Sequence, residues 1–272
     1  IYMCYMVICS SLISGMNKAE ISEPSSRNYV APSTPRCRRS YHCRQLTPTP
    51  HGAAQAHPQS HTPRLHATTH CRRGTAARRE AGRTLIEIYS GSDFVARVKD
   101  SPIEGPGLAA LEQARAQGRP VILVTAHFGN YDVSRAALIA KGHNMGALYR
   151  RMSNPYFNEH YAQNMHDLSG PVFEQGRRGT MGLVKHLKQG GMAVLLFDIY
   201  DSGGVPIDFM GKPAPTLTSA AEIAHKTGAL LVPFFGVRQP DGLTFSAEFD
   251  APLTHDDPVE QTRAMTAALE QR

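Results

Sequence analysis

The sequence predicts an α/β domain with a mostly parallel central sheet flanked by helices, preceded by a disordered N-terminal tract. Three observations predict it. The runs Val121 to Thr125, Met192 to Ile199 and Leu230 to Val237 have the length of strands and are almost wholly apolar, as strands covered on both faces are. Segments with apolar residues at helical spacing alternate with these runs, and such alternation builds parallel sheets with helices packed on both sides. The composition also breaks sharply near residue 79, where patterned sequence begins.

Taken in order, Ala81 to Tyr89 has apolar residues at helical spacing. Gly107 to Gln117 is a second helix, stopped by Gly118-Arg119-Pro120 before the first strand. Asn130 to Lys141 reads as a helix, Met145 to Tyr149 as a strand, and Pro155 to Asp167 and Thr180 to Gln189 as helices. Gly190-Gly191 breaks the chain ahead of the Met192 run. Val205 to Phe209 is a short strand, and Thr218 to Thr227 is a helix closed by Gly228 in the C′ position. Thr244 to Phe249 is expected to pair with the Leu230 run as the edge of the sheet, and Pro258 to Arg272 begins an amphipathic helix. The sequence shows no internal repeat and no segment that reads as a transmembrane helix.

The tract before the domain is of another kind. All five cysteines (Cys4, Cys9, Cys37, Cys43, Cys71) precede residue 72. Residues 1–80 hold 11 Lys+Arg and 3 Asp+Glu, against 18 and 20 in the rest of the chain. The pI of 9.1 therefore reflects the tract, and it is no evidence that the folded part binds nucleic acid. Ile1 to Gly15 is apolar but shorter than the ~20 residues that span a bilayer, and it lacks the pattern of a cleaved leader. Pro24 to Arg79 has too few aliphatic residues to offset the entropy of ordering. The Cys and His spacings there match no standard zinc pattern. Residues 1–78 are accordingly expected to be disordered or mistranslated. The domain is expected over 79–272, truncated in mid-helix at its C-terminus.

The stretch that carries chemistry is VILVTAHFGNYD, residues 121–132. His127 lies just past the carboxyl end of a buried strand, where open α/β sheets place their ligands. Gly129 permits a tight turn, Asn130 can cap the next helix, and Asp132 falls in that helix's first turn. A carboxylate on one imidazole nitrogen would fix the tautomer and stabilise the imidazolium formed on taking a proton. From spacing alone two readings stay open: a base with its orienting carboxylate, or a histidine bonded to a loop carbonyl beside an aspartate that favours the helix dipole. The domain has no cysteine, so no thiol nucleophile is available there. Asp198, at the end of a buried strand, is a candidate for shaping the site, for pairing with Arg150 or for capping a helix.

AHFGNYD, with ALYRRMSNP (147–155), GRRGTMGLVKHLKQGGMAVLLFD (176–198), DFMGKPAPTLTSAAEIA (208–224) and LLVPFFGVR (230–238), resembles the bacterial lipid A biosynthesis acyltransferases. These are the late lauroyl and myristoyl transferases within the wider glycerolipid acyltransferase superfamily. The resemblance runs from about Ala81 to Arg272. It implies transfer of an acyl chain from acyl carrier protein to a hydroxyl of an anionic lipid A precursor, at the cytoplasmic face of the bacterial inner membrane, without a metal or other cofactor. It further implies that His127 is the general base and Asp132 its partner, where the late enzymes usually carry Glu. Arg150, Arg177 and Arg178 would contact the phosphorylated acceptor, as guanidinium groups suit phosphate, with Arg151 and Arg178 open to the alternative of solvated surface residues. Lys212 falls in a glycine-proline loop, where it either closes over the lipid head or is a turn lysine. Backbone N–H groups at the Phe128–Asn130 turn, with Gly129 and Asn130 as its key residues, would face the oxyanion. A lysophospholipid or ornithine-lipid acyltransferase, or a lipid-binding fragment without activity, would share most of these features.

Overall fold

A computed structural model of the chain describes residues 79–272 apart from Ala81, Ile88 and Ser169. The expectations for the 1–78 tract lie outside the described residues. Helical residues over 79–89 lead into α1 (Ser92–Val98), β1 (Ile103–Glu104), α2 (Gly107–Ala116), β2 (Val121–Thr125), α3 (Asp132–Ala140) and β3 (Met145–Tyr149). There follow α4 (Pro155–Leu168), β4 (Val172–Glu174), α5 (Arg177–Lys188), β5 (Met192–Leu196), β6 (Tyr200–Phe209) and β7 (Lys212–Thr216). The last elements are α6 (Ser219–Thr227), β8 (Leu230–Arg238), β9 (Phe245–Phe249) and α7 (Pro258–Glu270).

Seven strands form one sheet in the order β1-β9-β8-β2-β5-β3-β4. Every neighbouring pair is parallel except β8 and β9, which are antiparallel. The central strand β2 is buried along its whole length because helices cover both faces. Its side chains alternate, as strand geometry requires. Ile122 and Val124 pack with Leu183 and Leu187 of α5, Ala221 of α6 and Met265 of α7. Val121 and Leu123 pack on the other face with Leu111 of α2 and Leu138 of α3. Truncating a side chain such as Ile122 to alanine in so closed a layer costs about 2–5 kcal/mol.

The predicted core strands and the α/β class are found. Gly228 ends α6 with a left-handed φ of 70°, as expected of a C′ glycine. Several details differ. Thr244 to Phe249 is not the sheet edge, because the two-residue β1 pairs with the outer side of β9. β6 is longer than expected and pairs with β7 in an antiparallel ribbon separate from the main sheet. Pro213 and Pro215 hide β7 in the sequence, and a two-stranded ribbon tolerates them because it has edges on both sides. α5 begins at Arg177 and not at Thr180, with Gly176 preceding it. α3 begins at Asp132, whose N–H donates to the Asn130 side-chain oxygen at 3.1 Å. Among the described residues no helix is long and apolar enough to cross a membrane.

Candidate active site

Register builds the centre of the site. β2 and β5 are parallel neighbours with Thr125 opposite Leu196, and the Phe197 N–H still donates to the Thr125 carbonyl at 3.1 Å. His127 and Asp198 each lie two residues past those paired ends, so the sheet sets them side by side. Asp198 Oδ1 is 2.8 Å from His127 Nδ1, and Asp198 Oδ2 accepts the His127 backbone N–H at 2.9 Å. One carboxylate thus holds both the ring and the main chain of the same residue. An ionised carboxylate only accepts, so Nδ1 carries the proton in this pair and Nε2 is the basic nitrogen. Both side chains are largely buried, at 15% and 8% exposure, and Tyr131 meets the imidazole edge-on with ring centres 5.6 Å apart.

This corrects the expected pairing. Asp132 does not hold Nδ1. Its Oδ1 accepts from Arg135 Nη1 at 3.1 Å, one helical turn along α3, while Arg135 Nη2 donates to the Met165 carbonyl at 3.1 Å. Both side chains are only 2% exposed. Burial raises the Asp132 carboxyl above the usual carboxylate range, opposed by the field and hydrogen bond of Arg135 and then by the field of His127. The second Asp132 oxygen, Oδ2, is buried without a hydrogen-bond partner among the described residues.

The turn between His127 and α3 is fixed from outside. Gly129 has φ 57° and bridges to Gly236 of β8. A Cβ at position 129 would stand 2.0 Å from the Gly236 carbonyl oxygen, so glycine is required for both conformation and space. The Gly129 carbonyl accepts from Thr84 Oγ1 at 3.1 Å. Asn130 is fully buried, donates through Nδ2 to Glu87 at 2.9 Å, and donates its N–H to the Gly236 carbonyl at 3.2 Å. That N–H is therefore not available to an oxyanion, contrary to expectation. Glu87 in turn is bound by Arg238, whose Nη1 and Nη2 lie 2.6 and 2.9 Å from its two oxygens. The guanidinium also bonds Glu80 at 2.8 Å and lies over the Phe245 ring. The helical residues over 79–89 thus brace the turn.

A cavity of about 430 Å³ opens at this carboxyl end of the sheet. His127, Asp132, Arg135 and Arg150 line it, together with apolar side chains such as Leu195, Phe197 and Ile223 and the aromatic rings of Tyr149, Phe157 and Tyr161. Charged groups meet a greasy wall there, a lining suited to an amphiphile with a reacting polar centre. Arg150 is exposed at this cavity. The structure does not bring the other predicted cations to it. Arg177 and Arg178 are exposed in the first turn of α5, and Lys212 is exposed as the first residue of β7; none of the three is among the lining residues. Lys212 stands in strand register opposite Phe209 and not in a loop. Among the described residues no group of three or more His, Cys, Asp or Glu side chains is placed to hold a metal ion.

Sequence reasoning missed Arg135, Glu87 and Arg238, and left the role of Asp198 open. The signal for Asp198 is present: VILVT and MAVLL are each followed two residues later by a chemically able side chain, His127 and Asp198. Adjacent parallel strands in matching register would bring these together. No local pattern signals the 151-residue separation between Glu87 and Arg238.

Residues 78–272 match the family described as bacterial lipid A biosynthesis acyltransferase. The chain is similar to a lipid A biosynthesis acyltransferase of Haemophilus influenzae, with 27% identity over 168 residues, 60% of this chain and 52% of that protein. It is also similar to a lipid A biosynthesis lauroyltransferase of Escherichia coli, with 29% identity over 141 residues, 50% of this chain and 44% of that protein. The chain spans about half the length of these curated relatives.

Proposed function

Because the chain belongs to the bacterial lipid A biosynthesis acyltransferase family, we propose that it transfers a fatty acyl chain from acyl carrier protein to a hydroxyl of a lipid A precursor. The observation that carries the proposal is the His127–Asp198 pair opening on an apolar cavity with a guanidinium at its wall. Nε2 of His127 takes the proton of the acceptor hydroxyl, and the oxygen attacks the thioester carbonyl carbon. The tetrahedral oxyanion collapses, the C–S bond breaks, and the thiolate recovers the proton from the imidazolium. Products are an ester and a free thiol. Asp198 holds the tautomer and offsets the imidazolium charge. Asp132, when ionised, adds negative potential in the cavity wall, and Arg135 keeps its carboxylate aligned.

The N–H groups of Phe128 and Gly129 have no hydrogen-bond partner among the described residues and are the donors left for the oxyanion. Arg150 meets an acceptor phosphate, and the apolar and aromatic walls hold acyl chains. The acceptor is a membrane lipid, so the reaction belongs at the cytoplasmic face of the inner membrane. The test is mass spectrometry of a lipid A precursor incubated with the protein and acyl carrier protein thioesters. Gain of one acyl mass supports the reading. Acylation of a lysophospholipid or ornithine lipid in competition, with the lipid A precursor untouched, would move the protein to a related acceptor class.

A further inference from the structure

Helix α5 carries on its outer face a row of cations that the fold does not use. At ~100° per residue, Arg177, Lys188, Met181, Lys185 and Arg178 follow one another, in that angular order, within an arc of about 100°. All five are exposed. The opposite side of the helix holds Leu183 and Leu187, buried against the sheet. From Arg177 to Lys188 the row runs about 16 Å along the helix axis. None of the four cations forms an ion pair with a carboxylate of the described residues.

Two features set this row apart from an ordinary solvated face. Arg177 and Arg178 occupy the first helical turn, where the dipole disfavours positive charge, and that turn has no acidic residue. The excess is also local, since residues 81–272 hold 18 Lys+Arg against 20 Asp+Glu. The row starts beside the cavity. Gln175, just before α5, lines it, and Glu174 accepts a hydrogen bond from the hydroxyl of Tyr149, another lining residue, at 3.4 Å.

We propose that the outer face of α5 is the docking surface for an acidic protein that delivers the acyl chain as a thioester. The proposal rests on the acyl-transfer reading above and names where the donor binds. An acidic helix laid along the row pairs with the four cations, and the thioester arm enters the cavity past Gln175. A membrane surface fits less well. A helix lying in a bilayer interface needs a broad apolar face toward lipid. The apolar face of α5 is used on the sheet, and Met181, 64% exposed, is the one large apolar residue in the row. A flexible methionine ringed by cations suits the centre of a charged protein contact.

The test uses the full chain and K185E/K188E, two positions outside the cavity. Steady-state transfer is measured with acyl carrier protein thioester and, separately, with the acyl thioester of free pantetheine. Binding of acyl carrier protein is followed directly by fluorescence anisotropy, independent of turnover. The proposal expects KM for the protein-borne donor and the anisotropy Kd to rise at least tenfold. It expects kcat to be kept, pantetheine thioester kinetics to be unchanged, and K185R/K188R to behave as the parent. An unchanged Kd for the carrier protein overturns it, as does an equal KM rise with both donors. Loss of binding to phosphatidylglycerol vesicles with donor Kd unaltered also overturns it, and makes the row a membrane contact. If the parent protein transfers from neither donor yet binds the carrier protein through these lysines, the docking surface stands and the acyl-transfer reading falls.

Discussion

Replacing Arg135 with methionine tests the buried pair that lies behind the turn following His127. Methionine roughly keeps the apolar volume of the arginine stem but removes the guanidinium, its 3.1 Å bond to Asp132 and its 3.1 Å bond to the Met165 carbonyl. Asp132 and Arg135 are each 2% exposed, so solvent cannot replace the lost partner. Breaking such a pair by removing one member costs about 3–5 kcal/mol. The carboxylate can escape part of that cost by taking a proton, which makes the loss pH-dependent. Burial already raises the Asp132 carboxyl, and loss of Arg135 raises it further. Between the unfolded and the raised folded value the native state binds the extra proton, so stability falls as pH rises through that window, with a slope of up to ~1.4 kcal/mol per unit. Urea denaturation of R135M should therefore show the full deficit at pH 8 and a smaller one near pH 5. D132N in the R135M background should recover part of the loss at pH 8. A deficit below ~1 kcal/mol, or one equal at both pH values, would mean that the Arg135 guanidinium does not hold the buried Asp132 carboxylate ionised.

Other outcomes follow from the same geometry. Asp198→Asn should lower kcat by about a hundredfold to ten-thousandfold, because the amide can hold the wrong imidazole tautomer; circular dichroism should show the fold retained. Gly129→Ala should destabilise by more than ~1 kcal/mol in urea titrations, since φ is positive there and the new methyl meets the Gly236 carbonyl. Arg238→Met should cost about 3–5 kcal/mol and lower transfer beyond what the loss of folded protein explains, because it leaves Glu87, the partner of Asn130, with the longer 3.8 Å contact to the half-exposed Arg97 in place of its bidentate cation.

What was legible in the sequence follows from what each element asks of its residues. β2, β5 and β8 are covered on both faces, so their sequences are almost wholly apolar and read directly. β1 and β4, of two and three residues, are too short for any periodicity. β7 was hidden by its prolines. The position of His127 was readable because a strand end, a glycine turn and a helix start are local features. Its carboxylate partner was not, since strand order and register decide which chain end lies beside it, and the nearer Asp132 looked equally able. Arg135 was passed over because arginine is rarely buried. Arg177, Arg178 and Lys212 carried the chemistry expected for an anionic acceptor, but their places in the first turn of α5 and at the start of β7 leave them outside the cavity lining. The donors of the turn were misjudged at Asn130, whose N–H is taken by a β8 glycine 106 residues away in sequence.

The proposed role of His127, activation of an acceptor hydroxyl for attack on an acyl thioester, is open to single-turnover transfer to a lipid A precursor with the product read by mass, comparing the parent chain with His127→Ala. The parent should add one acyl group, and the variant should do so at a rate lower by about a hundredfold to ten-thousandfold, with unfolding midpoints alike. Equal rates in the two proteins would contradict that role.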